Sequence, residues 1–338
     1  MRLPTIRDVA REAGVSISTV SLVLRQPHRV SEHTRVRVEE VIRTLNFRPN
    51  GTARDLRVRK SGTVGVFLRN LSGPYYSELI GGIEQVATSL CLTPIVCGRS
   101  VHEEQGSLRL LRERRIDGAI VLDSGITLRE LAQYAGPDLP VVVLNRTLPD
   151  PLASAYMTGV KIDDDGGGYQ AGKHFIDQGF LHPAVITGPV EAEASQARQR
   201  GFFRAYAEHG IASTSVLVIH GDFTEESGAK AMETILNLNL AIDAVFSAND
   251  QMALGVLQVL AKHNMRVEQI AVMGFDDISL ARYVQPALTT VHQPMFEVGS
   301  TAMELLGQAM QGKERIPPRT LATRVVIRSS TPKKPSSP

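Results

Sequence analysis

The sequence predicts an all-α head of three helices followed by an α/β body of two doubly wound parallel-sheet lobes. Three observations lead there. Residues 5–24, TIRDVAREAGVSISTVSLVL, carry apolar side chains at helical spacing on both sides of a glycine. Charge is divided along the chain. Residues 1–60 hold 13 Lys+Arg and 6 Asp+Glu, and the remainder holds 24 and 29, within a net charge of only +2. From residue 62 onward short β-rich runs alternate with helical stretches, which is the pattern of a parallel sheet with helices on both faces.

In the head, Ile6, Val9, Ala10 and Ala13 form the apolar face of a first helix. Gly14 is placed to adopt the left-handed conformation that ends it. Ser16 is a good N-cap for a second helix, whose apolar face is Val20, Val23 and Leu24. Two short helices joined by a glycine turn form a helix-turn-helix. Its outer face carries Ile17, Ser18, Ser21 and Leu22, positioned for a DNA major groove. Pairs of this form also occur in helical bundles with no nucleic-acid role. After a Pro-containing loop at Gln26–Val30, Ser31 opens a third helix striped by Val38, Val41, Ile42 and Leu45. Arg35, Arg37 and Arg43 lie off that stripe, where they can reach phosphates. Asn46–Pro49 ends it. A basic head on an acidic body is the charge footprint of nucleic-acid binding.

Residues 50–60, NGTARDLRVRK, form a basic linker. Asn50 can cap one or two helical turns, but these are too short to be stable alone and Gly51 weakens them, so folding only on DNA is expected. Leu56 is an isolated large apolar residue. It either packs on the body or acts as a wedge between minor-groove base steps.

The body reads as two series. The first runs strand 63–68, helix Tyr75–Leu90, strand Leu92–Cys97, helix His102–Arg115, strand Gly118–Leu122, helix Leu128–Ala135 and strand Val141–Leu144. A crossing segment near Val160–Asp163 leads to the second. That series runs helix Asp164–Gln178, strand Ala184–Thr187, helix Glu193–His209, strand Val216–Ile219, helix Glu225–Asn237, strand Ala244–Ser247, helix Gln251–His263 and strand Ile270–Gly274. Thr289–His292 reads as another crossing, Phe296–Met310 as a helix and Thr323–Ile327 as a strand. The Pro-, Ser- and Lys-rich tail from Ser329 is expected to be disordered, and no heptad repeat predicts a coiled coil. Two such units in tandem place a ligand at the strand carboxyl ends, in the cleft between them.

Other chemistries find little support. No signal peptide or membrane span is expected from the sequence. Cys91 and Cys97 read as reduced, buried thiols of a cytoplasmic protein. Gly167–Lys173 satisfies GxxxxGK, but His174 stands where a Mg²⁺-holding Ser or Thr belongs, so GGGYQAGK reads as a small-residue helix start that permits close packing. Asp163, Asp164 and Asp165 read as acids complementing a helix dipole. No zinc-spaced His cluster and no GxSxG elbow is present. No catalytic residue, metal or cofactor is expected.

The order of parts resembles the lac repressor (LacI/GalR) family of bacterial transcription regulators. The resemblance rests on TIRDVAREAGVSISTVSLVL, VSEHTRVRVEEVIRTLNFRPN and ARDL in the head and linker. In the body it rests on GPYYSELIGGIE, AVFSANDQMALG, VMGFDD and PALTTVHQP. Within the family, SGTVGVFLRNLSGPYYSELIGGIE is most similar to the maltose-regulon repressor (MalI)-like subgroup. The resemblance implies a homodimer whose second helices enter the major grooves of a pseudo-palindromic operator, while paired linker helices insert Leu56 into the central minor groove. The implied DNA-binding residues are Thr5, Ser16, Ile17, Ser18, Thr19, Ser21, Leu22 and Arg25 of the first two helices, Ser31 and Thr34 of the third, and Asn50, Ala53, Arg54 and Leu56 of the linker.

The body, in turn, is similar to periplasmic sugar-binding proteins, with two lobes joined by three crossings and a cleft ligand that changes their relation. By resemblance, Arg198, Asn249 and Asp276 bind ligand, and Tyr75, Tyr76, Asn145 and Phe246 line the cleft. From the residues alone, Arg198 also reads as a solvated helix charge, Asp276 as a cap, and Phe246 as core. The chain departs from the family at two places. Leu22 stands where an Arg commonly reads guanine, and can touch only a thymine methyl. Asp55 stands where Ser, Ala or Gln is common.

The expected domains are a helix-turn-helix domain at 1–49, a hinge at 50–60 and a ligand-binding and dimerisation domain at 61–338. Within the last, lobe 1 covers about 61–160 and 293–322, and lobe 2 about 163–290 and 323–330. The expected function is a cytoplasmic, dimeric repressor of carbohydrate-utilisation genes, with double-stranded operator DNA and a small carbohydrate effector as partners and no membrane association. The alternatives are a DNA-binding regulator controlled by a partner protein, and a small-molecule binder or enzyme whose head serves in oligomerisation.

Overall fold

A computed structural model of the chain describes residues 4–47, 60–69, 73–98, 106–149, 156–313 and 316–334. Contacts divide it into two units, Met1–Ser61 and Gly62–Pro338. The linker positions Asn50, Ala53, Arg54, Asp55 and Leu56 lie outside the described residues.

The first unit contains α1 (Ile6–Glu12), α2 (Ile17–Arg25), a 3₁₀ turn at Pro27–Arg29 and α3 (Glu32–Thr44). Val9, Ala10, Ala13, Val20, Val23, Val38 and Phe47 are buried together. Gly14 has φ +63°, and the Val15 amide donates back to Ala10 O at 3.0 Å, which closes α1 as a left-handed cap. Asn46 repeats this at the end of α3. Its φ is +48°, and Phe47 N donates to Ile42 O at 3.0 Å, which turns the Phe47 ring into the core. Phe47 was not expected there. Leu24, expected on the apolar face of α2, is instead 37% exposed, because Val20 and Val23 already fill that face.

The second unit has two six-stranded sheets. In chain order the first lobe gives β1 (Thr63–Leu68), α4 (Pro74–Ser89), β2 (Thr93–Gly98), α5 (Gly106–Arg112), β3 (Ala119–Val121), α6 (Leu128–Tyr134), β4 (Val141–Leu144) and β5 (Met157–Ile162). The second gives α7 (Asp164–Asp177), β6 (Pro183–Thr187), α8 (Glu193–Glu208), β7 (Leu217–His220), α9 (Glu225–Asn237), β8 (Ala244–Ser247), α10 (Asp250–Lys262), β9 (Ala271–Asp276) and β10 (Thr289–His292). The chain then returns through α11 (Met295–Met310), β11 (Arg319–Leu321) and β12 (Arg324–Val326). The sheet orders are β11-β5-β4-β3-β1-β2 and β12-β10-β9-β8-β6-β7. Pairing is parallel except between β10 and β12.

Several readings change. The crossing near Val160–Asp163 is mostly the end of strand β5, with Val160 in register with Leu144 of β4 and Arg319 of β11. The crossing at Thr289–His292 is a strand, with Thr290 and Val291 in register with Gly274 and Phe275 of β9. Residues 319–321 form an unexpected edge strand beside Val160–Ile162. The tail is not disordered over Ser329–Lys334. Ser330 Oγ donates to Val272 O at 2.6 Å and accepts from Thr289 N at 2.8 Å, and Lys334 Nζ reaches Asp243 at 2.8 Å. The hydroxyls of Ser330 and Thr331 satisfy buried partners, which composition alone does not reveal. The cysteines differ as well: Cys91 is exposed and Cys97 half-buried.

Helices cross at very short range through reciprocal glycines. A Cβ on Gly168 of α7 would lie 1.9 Å from Arg198 O, and one on Gly201 of α8 would lie 1.8 Å from Asp165 O. Gly82 and Gly299 do the same between α4 and α11, and Gly228 and Gly255 between α9 and α10. Close packing was expected of GGGYQAGK, and its Gly168 provides it.

Candidate ligand cleft and nucleic-acid interface

In the head, Ser16 Oγ accepts from Thr19 N at 3.1 Å, so Ser16 is the N-cap of α2. The Ser18 and Thr19 hydroxyls lie 2.7 and 2.8 Å from the same Oγ. Ser16 and Ser18 are exposed, Ile17 is 46% exposed, and Thr19, Ser21 and Leu22 are half-buried. Ile17 keeps nearly half of its surface open on the outer face of α2, where it can meet a partner outside the chain. Thr5 is partly committed already: its hydroxyl and amide both donate to Asp8 Oδ2, at 2.7 and 2.9 Å. Ser31 donates to Thr34 Oγ1 at 3.0 Å. Arg35 pairs with Glu32 at 3.5 Å, while Arg37 and Arg43 are exposed. Replacing Ser16 with alanine is expected to cost the head about 1 kcal/mol through loss of the cap. Hydrogen exchange at the Thr19 amide should accelerate roughly fivefold, since about 1.4 kcal/mol corresponds to a factor of ten; unchanged exchange would remove Ser16 from that role.

In the body, the expected ligand residues fall at strand carboxyl ends. Asn145 follows β4 with φ +53°, and Asp276 ends β9 with φ +124°. Asp277 follows with φ +62°. Non-glycine residues in such conformations are held there by their surroundings at a cost of about 1–3 kcal/mol each. Arg198, on α8, is 4% exposed. Its Nε donates to Asp164 Oδ1 at 2.8 Å and its Nη1 to Ala248 O at 2.5 Å. Asp276 Oδ1 lies 3.6 Å from Nη1, and the guanidinium carbon sits 3.8 Å over the Phe275 ring. Arg198 is therefore no solvated helix charge. Asp276 also accepts from Gln293 Nε2. Burial lifts the Asp276 carboxyl to about 7 against the pull of Arg198, and Asp164 raises it further. Asp164 is raised by the same burial, which outweighs its bond to Arg198.

From the other lobe, Tyr75 accepts from Asn145 Nδ2 at 2.9 Å. Burial, and then Asp276, push its hydroxyl above the ordinary tyrosine range, which places that ring within electrostatic reach of the Arg198 cluster. Tyr76 packs edge-on against Tyr75, with ring centroids 5.2 Å apart. A cavity of about 280 Å³ opens between the lobes, lined by Asn145, Lys161 and Thr320 on one side and Asp164, Glu193 and Arg200 on the other; of the expected ligand residues it is lined by Asn145, while Arg198, Asp276, Tyr75 and Tyr76 are not on its wall.

Two expected residues do not face this cleft with free groups. Phe246 is fully buried and stacked on Phe202, with centroids 4.9 Å apart and planes 2° apart. Its ring belongs to the core under α8 and cannot stack on a ligand, because the strand alternation that makes β8 apolar turns it toward the helices. Asn249 caps α10: its Oδ1 accepts from Met252 N at 2.9 Å and its Nδ2 donates to Phe223 O at 3.0 Å. Three residues went unnoticed in the sequence as site residues: Asp164, Gln293 and the fully buried Asp250. Asp164 sits in the DDD run that reads as a dipole complement, and Gln293 in PALTTVHQP; nothing local marks either as inward-facing.

Comparison with known proteins agrees with this architecture. Residues 5–50 match the family described as bacterial regulatory proteins, lacI family, and residues 173–331 match a periplasmic binding protein-like domain. The HTH-type transcriptional repressor PurR of Photobacterium profundum is 35% identical over 92% of this chain and 93% of its own length. The lac repressor dimer bound to operator and the anti-inducer ONPF is 28% identical and superposes with a TM-score of 0.85, covering 98% of this chain and 100% of that one. A transcriptional regulator CelR–cellobiose complex is 31% identical with a TM-score of 0.74, covering 97% and 99%. The chain belongs to the lacI family of bacterial regulatory proteins and is a ligand-responsive, helix-turn-helix transcriptional repressor rather than an enzyme.

Proposed function

We propose that this repressor works in the cytoplasm as a dimer on a pseudo-palindromic operator, and that a polyhydroxyl effector in its cleft changes operator affinity. The observation that carries the effector class is the arrangement of Arg198 between Asp164 and Asp276, beside two buried acceptors without donors among the described residues, Asn145 Oδ1 and Gln293 Oε1. Paired hydroxyls satisfy such a set, donating to the carboxylate and amide oxygens while accepting from the guanidinium. The cellobiose-bound relative is consistent with it. The effector acts only so far as it binds one lobe arrangement more tightly than the other.

Selection of duplexes from a random library by the full chain should recover a pseudo-palindrome whose affinity falls steeply with salt. Recovery of no palindromic sequence would overturn the DNA-binding reading. On the recovered site, Ile17 and Leu22 favour thymine methyls at the positions they face. Leu22→Arg should move the preferred base at its position to guanine, by about 1–3 kcal/mol of discrimination. An unchanged preference would show that Leu22 does not face a base. In the linker, Leu56→Ala should weaken operator binding severalfold and leave nonspecific binding intact, because a wedge acts through DNA bending. Equal loss of both would exclude the wedge.

A further inference from the structure

The wall of the cavity between the lobes carries Arg146, Lys161 and Arg200 against Asp163, Asp164, Asp165 and Glu193. The acids are already engaged. Asp164 accepts from Arg198 Nε at 2.8 Å and Asp165 from Arg204, two further cations that stand behind the wall. Burial also moves Asp164 toward its neutral form. Asp163 Oδ1 caps α7, accepting from Gly166 N at 2.9 Å. Glu193 accepts from Thr147 N at 3.4 Å and acts on Arg146, whose Nη1 donates to Ile126 O at 2.7 Å. Lys161 and Arg200 remain. Among the described residues neither makes a hydrogen bond or an ion pair, and Lys161 acts on Asp164 only at longer range. With Arg198 and Arg204 counted beside their partners, five cations meet four acids, and the surplus lies at Lys161 and Arg200.

Two further observations point to a ligand in this cavity. Asn145 is on the same wall, and its buried Oδ1 has no donor among the described residues. Buried polar atoms are normally satisfied, so this acceptor calls for an incoming O–H or N–H. The first turn of α8 also borders the cavity through Glu193 and Ala194, and Ala192 gives that helix no side-chain cap. The positive end of a helix favours an anion. A cation in the cavity would face Lys161 and Arg200, and a neutral group would leave both without an acceptor. An oxyanion bonds both, and hydrogen bonds between ionised groups are the stronger kind. Lys161 lies on β5 of the first lobe and Arg200 on α8 of the second. One oxyanion between them therefore binds best to the lobe arrangement that brings both cations to it, which is the differential affinity that a response requires.

We propose that the effector is an anionic sugar derivative, its carboxylate or phosphate held between Lys161 and Arg200 and one of its hydroxyls donating to Asn145 Oδ1. This rests on the reading of the cleft as a polyhydroxyl site. The orphaned amide oxygen asks for the hydroxyl and the two unengaged cations for the anion, so the two halves of the ligand are called for by different residues.

Calorimetry of the full chain at neutral pH would use D-gluconate, D-glucuronate and D-galacturonate as carboxylates and the 6-phosphates of D-glucose and D-galactose, each beside its neutral parent sugar, with inorganic phosphate alone. One anionic sugar should bind at least about tenfold more tightly than its parent, and added salt should erode that advantage. The arm that wins, carboxylate or phosphate, names the anion. Lys161→Met and Arg200→Met should each cut the advantage about tenfold while leaving affinity for the parent within about twofold, and Lys161→Arg, which keeps the charge, should preserve most of it. A parent sugar binding as tightly as its anionic derivatives, or an advantage that survives both methionine variants, overturns the anionic inference and leaves the polyhydroxyl reading standing. Inorganic phosphate binding as tightly as the sugar phosphates overturns the polyhydroxyl half and leaves a bare anion site. Silence from every probe overturns both.

Discussion

Arg198→Ala is expected to abolish the effector response and also to destabilise the body by about 3–5 kcal/mol, because it strands two buried carboxylates. The penalty should depend on pH in a defined direction. The Asp164 and Asp276 carboxyls sit above their ordinary values in the folded state, Asp276 at about 7. The folded protein therefore holds protons that the unfolded chain releases from about pH 4. Stability from this source is complete below the unfolded value and is lost as pH rises through about 7. Removing Arg198 makes the ionised carboxylates costlier still, so the gap between variant and parent should widen from about pH 5 to about pH 8 in urea unfolding. A triple variant, Arg198→Met with Asp164→Asn and Asp276→Asn, removes the charges together. It should recover most of the stability while remaining unresponsive. A triple variant that still answers to effector would show that recognition lies elsewhere; an Arg198→Ala gap that does not widen with pH would separate Arg198 from those carboxylates.

What the sequence reveals and what it hides divide along a physical line. Period and caps are local, and they sufficed for Gly14, Ser16 and most of the α/β alternation. Side-chain direction at a strand end is not local. Phe246 and Asp276 both stand at or near the ends of strands in the same sheet, yet one packs under α8 and the other reaches Arg198. Only the tertiary environment separates them. The tail misled for a related reason: Ser and Thr look solvated in composition, yet Ser330 and Thr331 bury their hydroxyls on strand-edge and His174 partners. Asp250 escaped notice because a helix-start aspartate is ordinarily a surface residue, whereas here Gly274 leaves room for it, a Cβ at that position falling 2.1 Å from Asp250 Oδ1.

Gly201→Ala is expected to lower body stability by at least about 2 kcal/mol and to weaken effector binding about tenfold. The added methyl would meet Asp165 O at 1.8 Å and Tyr169 N at 2.7 Å, all main chain, so no side-chain rotation relieves it. The two helices must separate. Around that crossing Arg204 bonds Asp165 and lies 4.5 Å over the Tyr169 ring, and Tyr169 donates to Glu208 at 2.7 Å. These contacts resist separation and share its cost. The ligand effect follows from the same geometry. Asp164 opens α7, Arg198 rides on α8, and their 2.8 Å bond spans the crossing that Gly168 and Gly201 hold closed. A shift of a few tenths of an ångström there loosens the guanidinium against Asp276, and polar recognition falls off steeply with such displacement. Gly136 supplies the control. A Cβ there meets nothing within 4 Å, so Gly136→Ala should be neutral or slightly stabilising through the unfolded chain. Denaturant unfolding and effector titration of both variants decide the matter. Equal behaviour of Gly201→Ala and Gly136→Ala would mean that the α7–α8 crossing yields freely and does not set the position of Arg198.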